Sequence, residues 1–153
     1  MRAINHALTG AAIGLLVEEP IIAVPLAFVS HYICDVIPHY GGGKAKREEL
    51  NSQTFRLLIL IDFCLCVGLV VVLAVYRPRH WLLAAVCAFV ATSPDLASIN
   101  LYRNARNGKP LTMNRYIKFA TGIQWFEKPI GAVVEVFWFI ALIIILVPLI
   151  ISR

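Results

Sequence analysis

The chain has 153 residues, enough for one domain and hardly more. It is 59% hydrophobic and only 15% charged, with a mean hydropathy of +0.77, where soluble domains carry about 25% charged residues. A water-soluble globule is excluded, because the apolar residues run in long blocks and not in amphipathic stripes.

Five such blocks follow one another, at about 3–17, 20–38, 55–76, 81–101 and 129–152. The first is short. A lone Arg2 before it, two glutamates after it and no small-residue cleavage site do not make a signal peptide. Glu18-Glu19-Pro20 reads as a tight turn, so the first two blocks form a helical hairpin that either spans or dips in and returns. Blocks three to five reach the roughly 20 residues a membrane-spanning helix needs. The expectation is all-α: a single integral membrane domain over 1–153, a polytopic bundle of about five transmembrane helices. The lipid bilayer is then its first partner.

Two connections matter. Residues 39–53 hold three glycines and mixed charge, a flexible loop. In the longer 103–129 connection, Met113, Tyr116, Ile117, Ala120 and Ile123 share one helical face, while Asn114, Arg115, Lys118 and Thr121 sit elsewhere. That predicts a basic amphipathic helix over about 112–127, lying at the membrane surface near anionic headgroups with Trp125 and Phe126 as anchors. The plainer alternative is an interfacial linker.

With this topology, Arg77, Arg79 and Arg153 fall on one side of the membrane and every other Lys and Arg on the opposite one. The positive-inside rule makes the richer side cytoplasmic, with the N-terminus inside and the C-terminus outside. The net charge of +5 then calls for no nucleic acid. Cys34, Cys64, Cys66 and Cys87 all lie in apolar blocks without zinc or redox spacing, and read as reduced packing residues.

The ionisable residues inside the blocks are His6, His31, Asp35, Asp62, Asp95 and Glu135. Each costs at least about 2.5–3.5 kcal/mol at mid-bilayer and asks for a reason. All fall in the same leaflet, so a bundle of five helices brings them toward one cavity open to the cytoplasm. His31 and Asp35 are four apart, on one face of a helix. Imidazole with carboxylate is an ordinary ligand set for divalent transition metals. Each also has a plainer reading: His31 and Asp35 as an interhelical hydrogen-bonded pair, Asp62 and Glu135 as structural or neutral buried carboxyls, Asp95 as a local cap beside Pro94. His39 reads as a solvated loop residue, and His80 as an interface residue on the opposite side.

"AFVSHYICDVIPH" (27–39) resembles the Ser-His-x-x-x-Asp helix of a bacterial inner-membrane family of metal-dependent hydrolases, the LexA-binding or LexA-regulated membrane hydrolases. "HALTGAAIG" (6–14) is similar to that family's opening helix, and "TSPDLASI" (92–99) to its Pro-Asp-hydrophobic segment. The resemblance covers about the first 100 residues. It implies that His6, His31, Asp35 and Asp95 are metal ligands. The His-Arg-Gly-x-Thr-His-Ser-like segment of larger members, which would bear on a second metal position, has no counterpart here.

The leading expectation is therefore a membrane-embedded hydrolase using a divalent metal ion, zinc or manganese, with Asp62 or Glu135 as general base or supporting carboxylate. The cytoplasmic mouth and basic surface helix favour a phospholipid or a lipid-linked phosphate as substrate. The alternatives are a proton or metal-ion transporter, for which the outer leaflet offers no polar path, and a non-catalytic scaffold with a structural polar cluster.

Overall fold

The computed structural model describes residues 1–40 and 47–152. The glycine-rich half of the expected 39–53 loop, with Lys44 and Lys46, and Arg153 at the C-terminus, lie outside the described residues. All regular structure among the described residues is helical, with one isolated parallel bridge between His39 and Glu127 and no strand among them.

Local chemistry sets the boundaries. Helix α1 (Ala3–Leu16) stops before the two glutamates, and α2 (Pro20–Val36) starts on a proline, whose missing N–H costs nothing at a first helical position. α2 ends just before Pro38, which disfavours helical backbone at the residue preceding it. A short α3 (Arg47–Asn51) leads to α4 (Gln53–Tyr76), where the Ser52 side chain accepts from Phe55 N at 3.1 Å as an N-cap. α4 closes on Arg77 in the left-handed region, followed by Pro78. α5 (Trp81–Thr92) gives way at Pro94 to a 3-10 segment, Ser93–Ser98, which runs on into α6 (Ile99–Arg106). The single helix expected over 81–101 is thus broken in its hydrogen-bond pattern where proline removes a donor. α7 (Arg115–Ile123), capped by the Asn114 side chain on Ile117 N at 2.8 Å, is shorter than the helix expected over 112–127. α8 (Gly131–Ile151) ends the described fold.

The centre of the bundle is α1. It packs most extensively on α5 and also touches α2, α4 and α8, burying Ile4 through Leu8, Gly10 through Ala12 and Gly14. Small residues make this possible. A Cβ on Gly10 would strike the Cys87 carbonyl and come within 2.8 Å of Ala91 Cβ, and one on Gly14 would lie 2.7 Å from Ala84 N. The two backbones therefore meet across a Gly-x-x-x-Gly face, the close approach by which membrane helices gain packing energy.

The outer helices are different. α4 buries only Leu69 and Leu73, and α8 buries a stripe through Glu135, Leu142, Leu146 and Ile150. Their other faces present exposed Val, Leu, Ile and Phe, far more contiguous apolar surface than water tolerates. Three helices are long and apolar enough to cross a membrane: α4, the continuous run Trp81–Arg106, and α8. α1, with 14 residues, and α2, with 17, rise only about 21 and 26 Å against a core of about 30 Å. Three of the five expected spans thus have the length and composition of a membrane crossing, and the other two are shorter apolar helices. α1 is enclosed by protein over most of its surface, which accounts for small and apolar residues on nearly every side of it.

Two further expectations change. Cys64 is exposed on α4, whereas Cys34 and Cys87 are buried thiols. His39 is buried, not solvated. Its carbonyl accepts from Lys128 N at 3.1 Å, and its backbone lies so close to Gly131 that no Cβ fits there. The exit of α2 is thereby clamped to the start of α8.

Candidate functional site

His6 enters the bundle core on the first turns of α1, and His31 and Asp35 project from the last turns of α2, where the i, i+4 spacing aligns them. Asp95 arrives on the 3-10 segment. These four converge. His6 Nε2 stands 3.2 Å from Asp35 Oδ1, and His31 Nε2 stands 3.4 Å from Asp35 Oδ2 and 3.9 Å from Asp95 Oδ1. The two imidazole rings stack with centroids 4.1 Å apart. One donor atom each from His6, His31 and Asp95 falls within 4.8 Å of the others. His6, His31 and Asp35 are buried, while the Asp95 side chain is 44% exposed and forms the open edge of the group.

Pro94 explains the orientation of His31. In a 3-10 pattern the Ala91 carbonyl looks for an N–H at residue 94, and proline has none. His31 Nδ1 takes that carbonyl at 2.8 Å. The hydrogen therefore sits on Nδ1, and Nε2 points its lone pair at the carboxylates. A backbone carbonyl fixing the tautomer is the usual outer support of a metal-binding histidine. His6 supplies a second sign. It is fully buried, its Nε2 faces Asp35 Oδ1 at 3.2 Å without an aligned hydrogen bond, and its Nδ1 has no hydrogen-bond partner among the described residues, which for a buried group costs about 1–3 kcal/mol. Atoms about 2.0–2.2 Å from a tetrahedral ion stand roughly 3.3–3.6 Å apart, against up to 4.8 Å among the donor atoms of His6, His31 and Asp95. His6, His31 and Asp95 are thus a group that could hold a metal ion on drawing slightly closer.

Asp35 is the most heavily engaged member. Besides both imidazoles, Oδ1 accepts from the N-terminal ammonium and Oδ2 from Gln124 Nε2 at 2.9 Å. Asp62 and Glu135 gather at the same end of the bundle but take a different partner. Asp62 Oδ2 lies 2.9 Å from Arg2 Nε, and Glu135 Oε1 accepts the Arg2 backbone N–H at 2.7 Å. Asn5 Nδ2 also donates to the Glu135 carbonyl at 3.2 Å. Arg2 thus ties the start of α1 to α4 through its guanidinium and to α8 through its backbone N–H.

Several contributors were not singled out from the sequence. Tyr32 and Tyr116 share a hydroxyl hydrogen bond of 3.0 Å, and Tyr116 donates to the Pro94 carbonyl at 3.5 Å. Burial and the bond to Tyr32 push the Tyr116 phenol above its ordinary range. Gln124 carried one usable signal: extended through residue 124, the helical register puts it on the face of Ile117 and Ala120. Burial, reinforced by the nearby N-terminal ammonium, holds the His39 imidazole below its ordinary value.

The opposite end of the bundle carries a sparser group, with Glu18 Oε2 3.5 Å from Arg79 and 3.8 Å from His80 Nε2. A cavity of about 430 Å³ is lined by Gln53, Arg56, Leu57 and Leu60, none of them in the histidine–carboxylate group. No protein-family model matches this chain, and neither does any curated protein or solved structure.

Proposed function

We propose that the chain is a metal-dependent hydrolase embedded in the bacterial inner membrane, working at the cytoplasmic face on a phosphoester or lipid-linked phosphate. The observation that carries this reading is the convergence of His6, His31 and Asp95 within 4.8 Å, with His6 buried beside Asp35 and its Nδ1 without a hydrogen-bond partner among the described residues, and His31 held in one tautomer by the Ala91 carbonyl. His6, His31 and Asp95 would hold the ion, zinc or manganese, with Asp35 between the imidazoles. When bound, such an ion polarises a phosphoryl oxygen and acidifies water.

The chain's own residues do the rest. Asp35 orients both imidazoles and offers carboxylate oxygens for a proton. Asp62 and Glu135 act through Arg2: by anchoring the start of α1 to α4 and α8 they fix His6, which makes them positioning residues in this reading. The half-exposed Asp95 edge is where substrate approaches. The N-terminus lies inside and the C-terminus outside, as the distribution of Lys and Arg favours.

The test is the metal content of the detergent-purified protein by elemental mass spectrometry, beside His31→Ala/Asp35→Ala. About one transition-metal ion per chain, lost in the variant, is expected for a closed set of protein ligands. A folded wild type that stays metal-free after reconstitution removes the hydrolase reading and leaves a structural hydrogen-bonded cluster.

A further inference from the structure

Helix α7 has two unlike faces. Tyr116, Ile117, Ala120 and Ile123 turn inward, with Ile117 buried. Gln124, one residue beyond, reaches Asp35. The sequence alone suggested that this apolar face meets the membrane, but it packs on α2. What faces outward is Arg115, Lys118, Phe119 and Gly122, all exposed and within an arc of roughly 100° at 3.6 residues per turn. Phe119 is 58% exposed and the neighbouring Trp125 69%. Neither Arg115 nor Lys118 is paired among the described residues. From Arg103 to Phe126 the chain carries Arg103, Arg106, Lys109, Arg115 and Lys118 and no carboxylate. Cations interleaved with exposed aromatic rings, beside the end of an apolar helix, match the headgroup layer of an anionic bilayer.

The inner face is tied to the histidine–carboxylate group at two points. Tyr116 bonds Tyr32 and the Pro94 carbonyl, one residue from Asp95, and Gln124 bonds Asp35. One short helix therefore has cations and rings on its outside and its polar inner contacts on the candidate site.

We propose that the outer face of α7, with Trp125, docks on the anionic lipids of the bilayer that holds the chain, and that this docking keeps Gln124 seated on Asp35 as a cap over the site. The capping half rests on the hydrolase reading of the cluster. The docking half does not, since lipid contact needs only the charges and rings. Anionic lipid thereby becomes a regulator of access: the cap closes where the headgroups are charged and loosens where they are not.

The experiment is amide hydrogen exchange of residues 115–123 in the full-length protein, in nanodiscs of phosphatidylcholine alone and of phosphatidylcholine with phosphatidylglycerol. At roughly 5-fold per cation near an anionic surface, two cations give up to about 30-fold slower exchange in the charged discs. Arg115→Gln/Lys118→Gln, altered only at exposed positions, is expected to lose that difference while keeping the neutral-disc rate. Equal rates in the two discs for the wild type overturn the docking, as does a double variant that responds like wild type. Glycerol phosphate added to neutral discs is expected to leave the rate unchanged; if it reproduces the slowing, the face is a soluble-phosphate site and the bilayer proposal fails.

Zinc uptake tests the cap. It is expected to be slower in the anionic discs, with Gln124→Ala abolishing the difference. Equal uptake rates in wild type remove the cap, whereas no zinc bound in either disc removes the hydrolase reading and leaves the exchange result standing.

Discussion

At the scale of single residues, Pro94 does more than end a helix. Its missing N–H leaves the Ala91 carbonyl to His31, and so decides which nitrogen of His31 faces Asp35 and Asp95. Pro94→Ala restores a donor that competes for that carbonyl. The expected outcome is a 10–100-fold loss of zinc affinity, the usual cost of losing outer support for a ligand, read by competition with a chelating dye. His39 makes a separate prediction. Its folded pKa lies below the ordinary 6.5, so below about pH 6.5 the unfolded chain takes up a proton that the folded chain refuses. The stability linked to His39 is complete above that pH and is lost as pH falls toward the depressed folded value. Thermal melts in detergent between pH 7.5 and 5 should show a smaller acid-induced drop for His39→Gln than for wild type. The His31-x-x-x-Asp35 pair was legible because helical periodicity alone aligns it. The burial of His39 was not, because it comes from contact with the start of α8, some 90 residues along the chain.

At the scale of elements, the interface of α1 with α5 depends on absent side chains. Gly10→Val places a branched side chain against the Cys87 carbonyl and Ala91, and overpacking of this kind costs about 1–3 kcal/mol. A lowered unfolding midpoint in detergent is expected, and metal binding should weaken with it because His6 rides on the same helix. A variant as stable as wild type would show that the close approach is not needed. Hydropathy identified α1 as an apolar helix but not its surroundings, because a helix that is apolar all round reads the same whether protein or lipid encloses it. The small residues at 7, 10, 11 and 14 were the available hint of protein. α7 shows the converse. Its amphipathic pattern was plain in the sequence, yet the apolar side serves α2 and the charged side is the one left outward. A pattern of two faces does not say which one the protein keeps.

At the scale of the whole molecule, the polar chemistry is polarised. His6, His31, Asp35, Asp62, Asp95 and Glu135 gather at the end where α1 begins, while the far end holds Glu18, Arg79 and His80. That asymmetry was readable in advance, since depth along an apolar block follows from counting residues at about 1.5 Å each. The division of the six into one group of four and a pair held by Arg2 was not, because it turns on where one N-terminal arginine lies. The arrangement predicts that single cysteines replacing Glu18 and Arg79 label from one side of the membrane and one replacing Arg103 labels from the other. An impermeant maleimide on oriented vesicles of a cysteine-free background checks this, and equal labelling of all three overturns the topology.

The central place of α1 also bears on how the protein is made. α1 leaves the ribosome before α5 and α8, which supply two of its walls. At 14 residues it is too short to settle across a bilayer alone, and its buried His6 and Asn5 are unwelcome in bare hydrocarbon. The earliest helix of the bundle is therefore the last to be housed. Until α5 and α8 emerge, α1 must shelter in the insertion machinery or at the membrane surface, while the candidate site, built from α1, α2 and the Ser93–Ser98 segment, can come together before α8 closes on it.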